Sequence, residues 1–117
     1  MKELRFEIPE GNGLRFEIPE GYAIDFYRSD FGNGYIQFYK LLDIKMNESD
    51  VSVRLYNAMK NYFYDNFDEN YQCFKDKSIS ELCKISITEF ARVRNAGKLT
   101  MKELKEFCLK HEIGLRP

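Results

Sequence analysis

The stretch Val93-Arg94-Asn95-Ala96-Gly97-Lys98-Leu99-Thr100-Met101-Lys102-Glu103-Leu104 holds the residues of this chain best suited to bind an anion. It reads as a short helix, a glycine hairpin and the start of a second helix. Glycine at position 97 accommodates a left-handed or closely approached backbone. Thr100 followed three residues later by Glu103 has the form of a capping box, which places a helix N-terminus at Thr100. Backbone N–H groups, the positive end of a helix dipole and the Lys98 ammonium then converge, and that is the chemistry of a phosphate seat. The same residues also read as a plain capping motif beside a solvated lysine. Upstream, the run from Asp50 to Lys60 carries Arg54 and Asn57 three residues apart, on one face of a helix near its start.

Other chemistries have little to work with. His111 is the only histidine, which leaves a zinc site or a histidine-based acid–base pair without partners. Cys73, Cys83 and Cys108 are odd in number and widely spaced, and the last two fall at apolar helix positions, so they read as buried free thiols. Asp65, Asp68 and Glu69 lack the glycine and ligand spacing of a calcium loop and read as a solvated acidic loop. There is no Walker-type loop and no Ser/His/Asp set. The expectation is a protein that is not an enzyme and carries neither metal nor cofactor.

Charge is unevenly placed along the 117 residues. Residues 1–50 carry 6 basic and 10 acidic side chains, whereas residues 92–117 carry 7 basic and 3 acidic ones, so the basic end coincides with the candidate phosphate seat. The whole chain has a net charge of −1, which argues against indiscriminate nucleic-acid binding but leaves room for a local patch. No apolar run approaches a membrane span and no signal-peptide pattern opens the chain, so a cytoplasmic location is expected.

The elements that must position these residues are legible in part. Leu4-Arg5-Phe6-Glu7-Ile8-Pro9-Glu10-Gly11 recurs as Leu14-Arg15-Phe16-Glu17-Ile18-Pro19-Glu20-Gly21, and each copy alternates apolar and charged residues as a half-buried strand does. Paired around Gly11-Asn12-Gly13, the copies would set Arg5 against Glu17 and Glu7 against Arg15. A frayed first copy is the other reading. A further strand is expected at 35–40. Residues 42–50 read as a linker ending in capping residues, after which the apolar period becomes helical. Val53, Tyr56, Met59 or Lys60, and Phe63 make the stripe of a helix starting near Ser52. Capping boxes at Ser78–Glu81 and Ser86–Glu89 open two short helices, and a last helix runs from Met101 to about His111, ended by Gly114.

Val51-Ser52-Val53-Arg54 with Asn57, and then Val93-Arg94-Asn95, Gly97-Lys98, Thr100, Glu103-Leu104-Lys105 and Ile113-Gly114-Leu115, together resemble the C-terminal domain of the bacterial RNA polymerase alpha subunit. The resemblance spans residues 51–116. It implies a helical DNA-binding fold in which Arg54, Asn57, Gly97, Lys98 and Thr100 contact DNA, with Arg54 in the minor groove. Two departures stand out. Leu99 replaces a basic residue, and the acidic, aromatic run at 64–74 is an insertion that would sit poorly against DNA. The segment 14–41 resembles a β-hairpin module found in small proteins of Bacteroides-type bacteria and their phages.

The expected architecture is α+β: a small N-terminal antiparallel β-hairpin or meander (1–41), a linker (42–50) and a compact bundle of four to five short helices (51–117) containing a helix-hairpin-helix at 88–110. The expected partner is duplex DNA, through an A·T-rich minor groove, or a transcription protein. The alternative is a protein-interaction module that kept the fold and lost DNA binding. The β edge could support self-association or docking by strand addition.

Overall fold

A computed structural model describes the backbone of residues 5–7 and, with their side chains, residues 17–28, 34–94 and 96–117. The turn Gly11-Asn12-Gly13, Arg15 and Asn95 lie outside these. The architecture is α+β, and the chain divides into two compact units, Met1–Leu41 and Leu42–Pro117.

The first unit is a three-stranded antiparallel sheet. Strands β1 (Arg5–Glu7), β2 (Tyr22–Arg28) and β3 (Gly34–Lys40) are ordered β1-β3-β2. The β2–β3 pair is the long one, with Tyr22 opposite Lys40 and Arg28 opposite Gly34. Cross-strand neighbours in this register fit one another. Tyr27 stacks on Tyr35 with ring centroids 5.6 Å apart, and the Gln37 amide donates to the Asp25 carboxylate over 2.8 Å inside a buried pair.

Among the described residues, the expected partners Arg5 and Glu17 do not pair with each other. Arg5, Phe6 and Glu7 pair with Gln37, Ile36 and Tyr35, while Glu17 in the second copy is not in a strand. The reason is competition for a template: β3 offers a second edge once β2 holds the first, and β1 takes it. In the second copy, Pro19-Glu20-Gly21 turns the chain instead. Tyr22 N–H donates to the Pro19 carbonyl (3.1 Å), and Gly21 takes φ 82°, the left-handed value that a type II turn requires at its third position.

The second unit is helical. Its elements are α1 (Val53–Phe67), α2 (Tyr71–Phe74), α3 (Ile87–Phe90) and α4 (Lys98–Lys110), with 3-10 turns at Met46–Glu48 and Ile79–Lys84. Ser52 caps α1 by accepting from Leu55 N–H. That places Val53 at the first helical position, where it is 77% exposed, so the expected stripe fails at its first residue, while Met59 and Phe63 are buried as expected and Tyr56 packs against the core. The buried stripe is Leu55, Ala58, Met59, Tyr62 and Phe63, a regular 3-and-4 spacing that packs against Phe74, Ile79, Leu82, Phe90 and Leu104. Buried Tyr62 also holds polar backbone in place: its hydroxyl donates to the Lys84 carbonyl (3.0 Å) and accepts from Ser86 N–H (2.9 Å).

Ser78 and Ser86 cap the short elements that follow them, accepting from Ser80 and Glu89 N–H. Their glutamate partners do not close the boxes; Glu81 pairs with Lys84 and Glu89 with Arg92. Residues 42–50, expected as a linker, are part of the helical unit. Met46 is 1% exposed in its core, Met46 N–H donates to the Lys77 carbonyl and Ile79 N–H to that of Ile44, both over 2.8 Å. Gly114 does not end α4. Ile113 N–H reaches back to the Cys108 carbonyl (2.7 Å) and Glu112 N–H to that of Leu109 (3.2 Å), a Schellman closure with Glu112 left-handed at φ 57°.

Glu112→Gly removes the steric cost of that conformation and is expected to stabilise the domain by about 1 kcal/mol in urea denaturation. No gain would show that the C-terminus of α4 tolerates glutamate without strain.

Cys83 and Cys108 are buried free thiols, as their apolar helix positions suggested, and burial pushes the Cys108 thiol up to about 12. Only exposed Cys73 of the three is expected to react with a thiol reagent at pH 8 in the folded protein, and all three after denaturation. A second fast-reacting thiol in the native protein would contradict this burial.

Candidate functional site

The residues expected to bind an anion sit at the N-terminal ends of α1 and α4, and one contact ties the start of α1 to the middle of α4. Ser52 N–H donates to the Glu103 carboxylate over 2.9 Å, and Ser52 Oγ donates to its other oxygen over 2.5 Å. The same Oγ accepts from Leu55 N–H over 3.0 Å, so one hydroxyl both caps α1 and binds it to α4. Glu103 is therefore not half of a capping box with Thr100. It lies five residues into α4, about 7.5 Å from the start of the helix along its axis. Asp50, two residues before the clamp, approaches Lys110 (3.6 Å), so the chain leading into α1 runs from the C-terminal half of α4 toward its N-terminal half. Arg54 follows at once.

Arg54 is exposed in the first turn of α1, and Asn57 is half-buried one turn on. Gly97 is the N-cap of α4, at φ −79° and ψ −176°, an extended conformation open to any residue. A Cβ added there would meet nothing within 4 Å. The fold does not need glycine at 97, which corrects the expectation of a left-handed or crowded backbone. Helix α4 begins at Lys98, three residues earlier than expected, and no side chain caps it. Lys98 and Leu99 are exposed at this uncapped entrance, where helix N–H groups have no intrahelical acceptor.

Thr100 differs from its expected role. It is not an N-cap but the third residue of α4, and it is only 1% exposed, so it offers no surface to a ligand. Leu99, where a basic residue was expected, is 67% exposed. The acidic insertion lies far from these groups. Helix α1 runs on to Phe67 with Asp68 as its C-cap, about 21 Å from Arg54 along the axis. That exceeds two Debye lengths of about 8 Å at physiological ionic strength, so its charge is screened from Arg54.

Two basic residues of the neighbourhood escaped the sequence reading. Lys102 and Lys105 follow Lys98 on α4 and line, with Ala91, Ala96, Gly97, Met101 and Glu106, an open groove beside the helix. Their 4-then-3 spacing from Lys98 was the signal that could have found them. Among the described residues there is no cluster of side chains suited to a metal ion, and no helix is long and apolar enough to cross a membrane.

The clamp sets the geometry of the site, and its energy is measurable. Glu103→Ala is expected to cost about 2 kcal/mol in urea denaturation, and Ser52→Ala combined with it to cost clearly less than the sum of the two. Additive costs would show that the two side chains do not act together.

The chain is similar to the DNA-directed RNA polymerase subunit alpha of Clostridium botulinum, in the Hall, Langeland and Okra strains alike, at 30% identity over 77 residues, covering 66% of this chain and 21% of each relative. It thus spans about a fifth of the length of the curated relatives it matches. No family model and no solved structure matches it. The relationship to the RNA polymerase alpha subunit is a distant one, confined to part of that protein's length.

Proposed function

We propose that the helical unit is a non-enzymatic, transcription-associated module that binds duplex DNA through the N-terminal ends of α1 and α4. The observation that supports it most is that exposed Arg54 follows two residues after Ser52, which hydrogen-bonds to Glu103 of α4, the helix whose entrance at Gly97-Lys98 no side chain caps. Helix N–H groups at that entrance and the Lys98 ammonium would hold one phosphate. Arg54, with Asn57 on the same face, would reach into the minor groove, where a narrow A·T-rich stretch concentrates negative potential. Gly97 would let the phosphate approach the backbone, the one use for a glycine that the fold itself leaves without a reason. The similarity to the RNA polymerase alpha subunit points the same way.

A titration of labelled A·T-rich duplex at low salt tests this. Binding is expected to weaken steadily with salt, and Arg54→Ala to weaken it by at least about tenfold. Gly97→Ala is expected to leave folding stability within about 0.5 kcal/mol of the parent while weakening DNA several-fold, because the added methyl occupies only the phosphate's approach. No saturable binding, or binding unaffected by Arg54→Ala, overturns the proposal.

A further inference from the structure

We infer that the outer face of α4 docks an acidic amphipathic helix from a partner protein, on a surface that shares Lys98 with the proposed phosphate seat but leaves out Arg54. Lys98, Lys102, Lys105 and Leu109 recur at 4-3-4 spacing, which forms a single seam along α4 about 16 Å long. The seam lies roughly a third of a turn around the helix from Glu103, which faces α1. Among the described residues neither Lys98 nor Lys105 has a carboxylate within salt-bridge distance. Lys102 meets Glu106 only at 3.9 Å, with both side chains largely exposed.

Beside the lysines the surface is apolar. Ala91, Ala96 and Met101 line the groove, and Leu109 ends the seam 80% exposed, an unusual position for leucine on a helix that buries its other face well. Cations along an apolar groove complement a helix that carries carboxylates beside one or two apolar anchors, and three turns of such a helix match the length of the seam. The same surface suits a DNA backbone poorly. A phosphate rail would leave Leu109 and Met101 uncovered.

The full chain can be titrated with a fluorescein-labelled synthetic peptide of three to four turns, its leucines on one face and glutamates beside them, next to a scrambled peptide of the same composition. Saturable binding by the amphipathic peptide, at least about tenfold tighter than by the scrambled one, is the expected result. The charge-reversed double variant K102E/K105E should weaken it about tenfold, and Leu109→Ser several-fold, with unchanged thermal unfolding because all three side chains are exposed. The inference is overturned by equal affinity for the two peptides, or by no saturation up to about 1 mM peptide. It is also overturned if K102E/K105E weakens duplex DNA as Arg54→Ala does while leaving the peptide unaffected, which would make the seam part of a DNA surface. Loss of DNA binding in Arg54→Ala with peptide binding intact separates this surface from the DNA proposal.

Discussion

The hydrogen bonds between Ser52 and Glu103 are the constraint on which the helical unit's arrangement rests. A helix end has N–H groups to satisfy, and most proteins satisfy them locally. Here the cap of α1 is itself held by a carboxylate 51 residues away, so closing the end of one helix also fixes its placement on another. The contact lies at the start of α1 and five residues into α4, so it fixes the beginning of one helix against the body of the other. Packing can slide by a fraction of a turn, whereas two short hydrogen bonds to one carboxylate cannot. The core of Leu55, Met59, Tyr62 and Phe63 against Phe90 and Leu104 supplies the cohesion, and the clamp supplies the register.

Local chemistry was legible in the sequence and long-range choices were not. Ser52, Ser78 and Ser86 each cap a helix where they were expected to, because a cap needs only its own next three residues. The stripe of α1 was legible in part: Met59 and Phe63 are buried as expected and Tyr56 packs against the core, but Val53 lies exposed, and Leu55, Ala58 and Tyr62 complete the buried face. Glu103 was misassigned. Thr100 three residues away satisfies the capping-box pattern, but the threonine is drawn into the core and the glutamate finds a better partner across the interface. Gly97 carried the opposite lesson. Its identity was read as a backbone requirement, and its extended conformation and open surroundings remove that requirement altogether.

The electrostatic layout of the helical unit follows the same geometry. Helix α1 holds Arg54 at one end and the acidic run at Asp65, Asp68 and Glu69 at the other, and its length keeps the two apart. Carboxylates that looked incompatible with an anion site in one dimension are harmless in three. The insertion has its own internal bonding, in which Lys77 pairs with Glu69 and lies over the Phe63 ring, 4.7 Å from its centroid. An insertion placed at the far end of a helix lengthens it without disturbing the near end.

The duplicated octapeptide shows how little of a strand is written in the strand. Glu7 lies in a sheet and Glu17, its copy, does not, although the eight residues around each are the same. What differs is which unfilled hydrogen-bonding edge each copy can reach, since the second copy runs straight into the turn before β2. A tandem duplication can thus widen a hairpin into a three-stranded sheet with no new sequence invented, by recruiting as a strand a segment whose original serves as the approach to a turn.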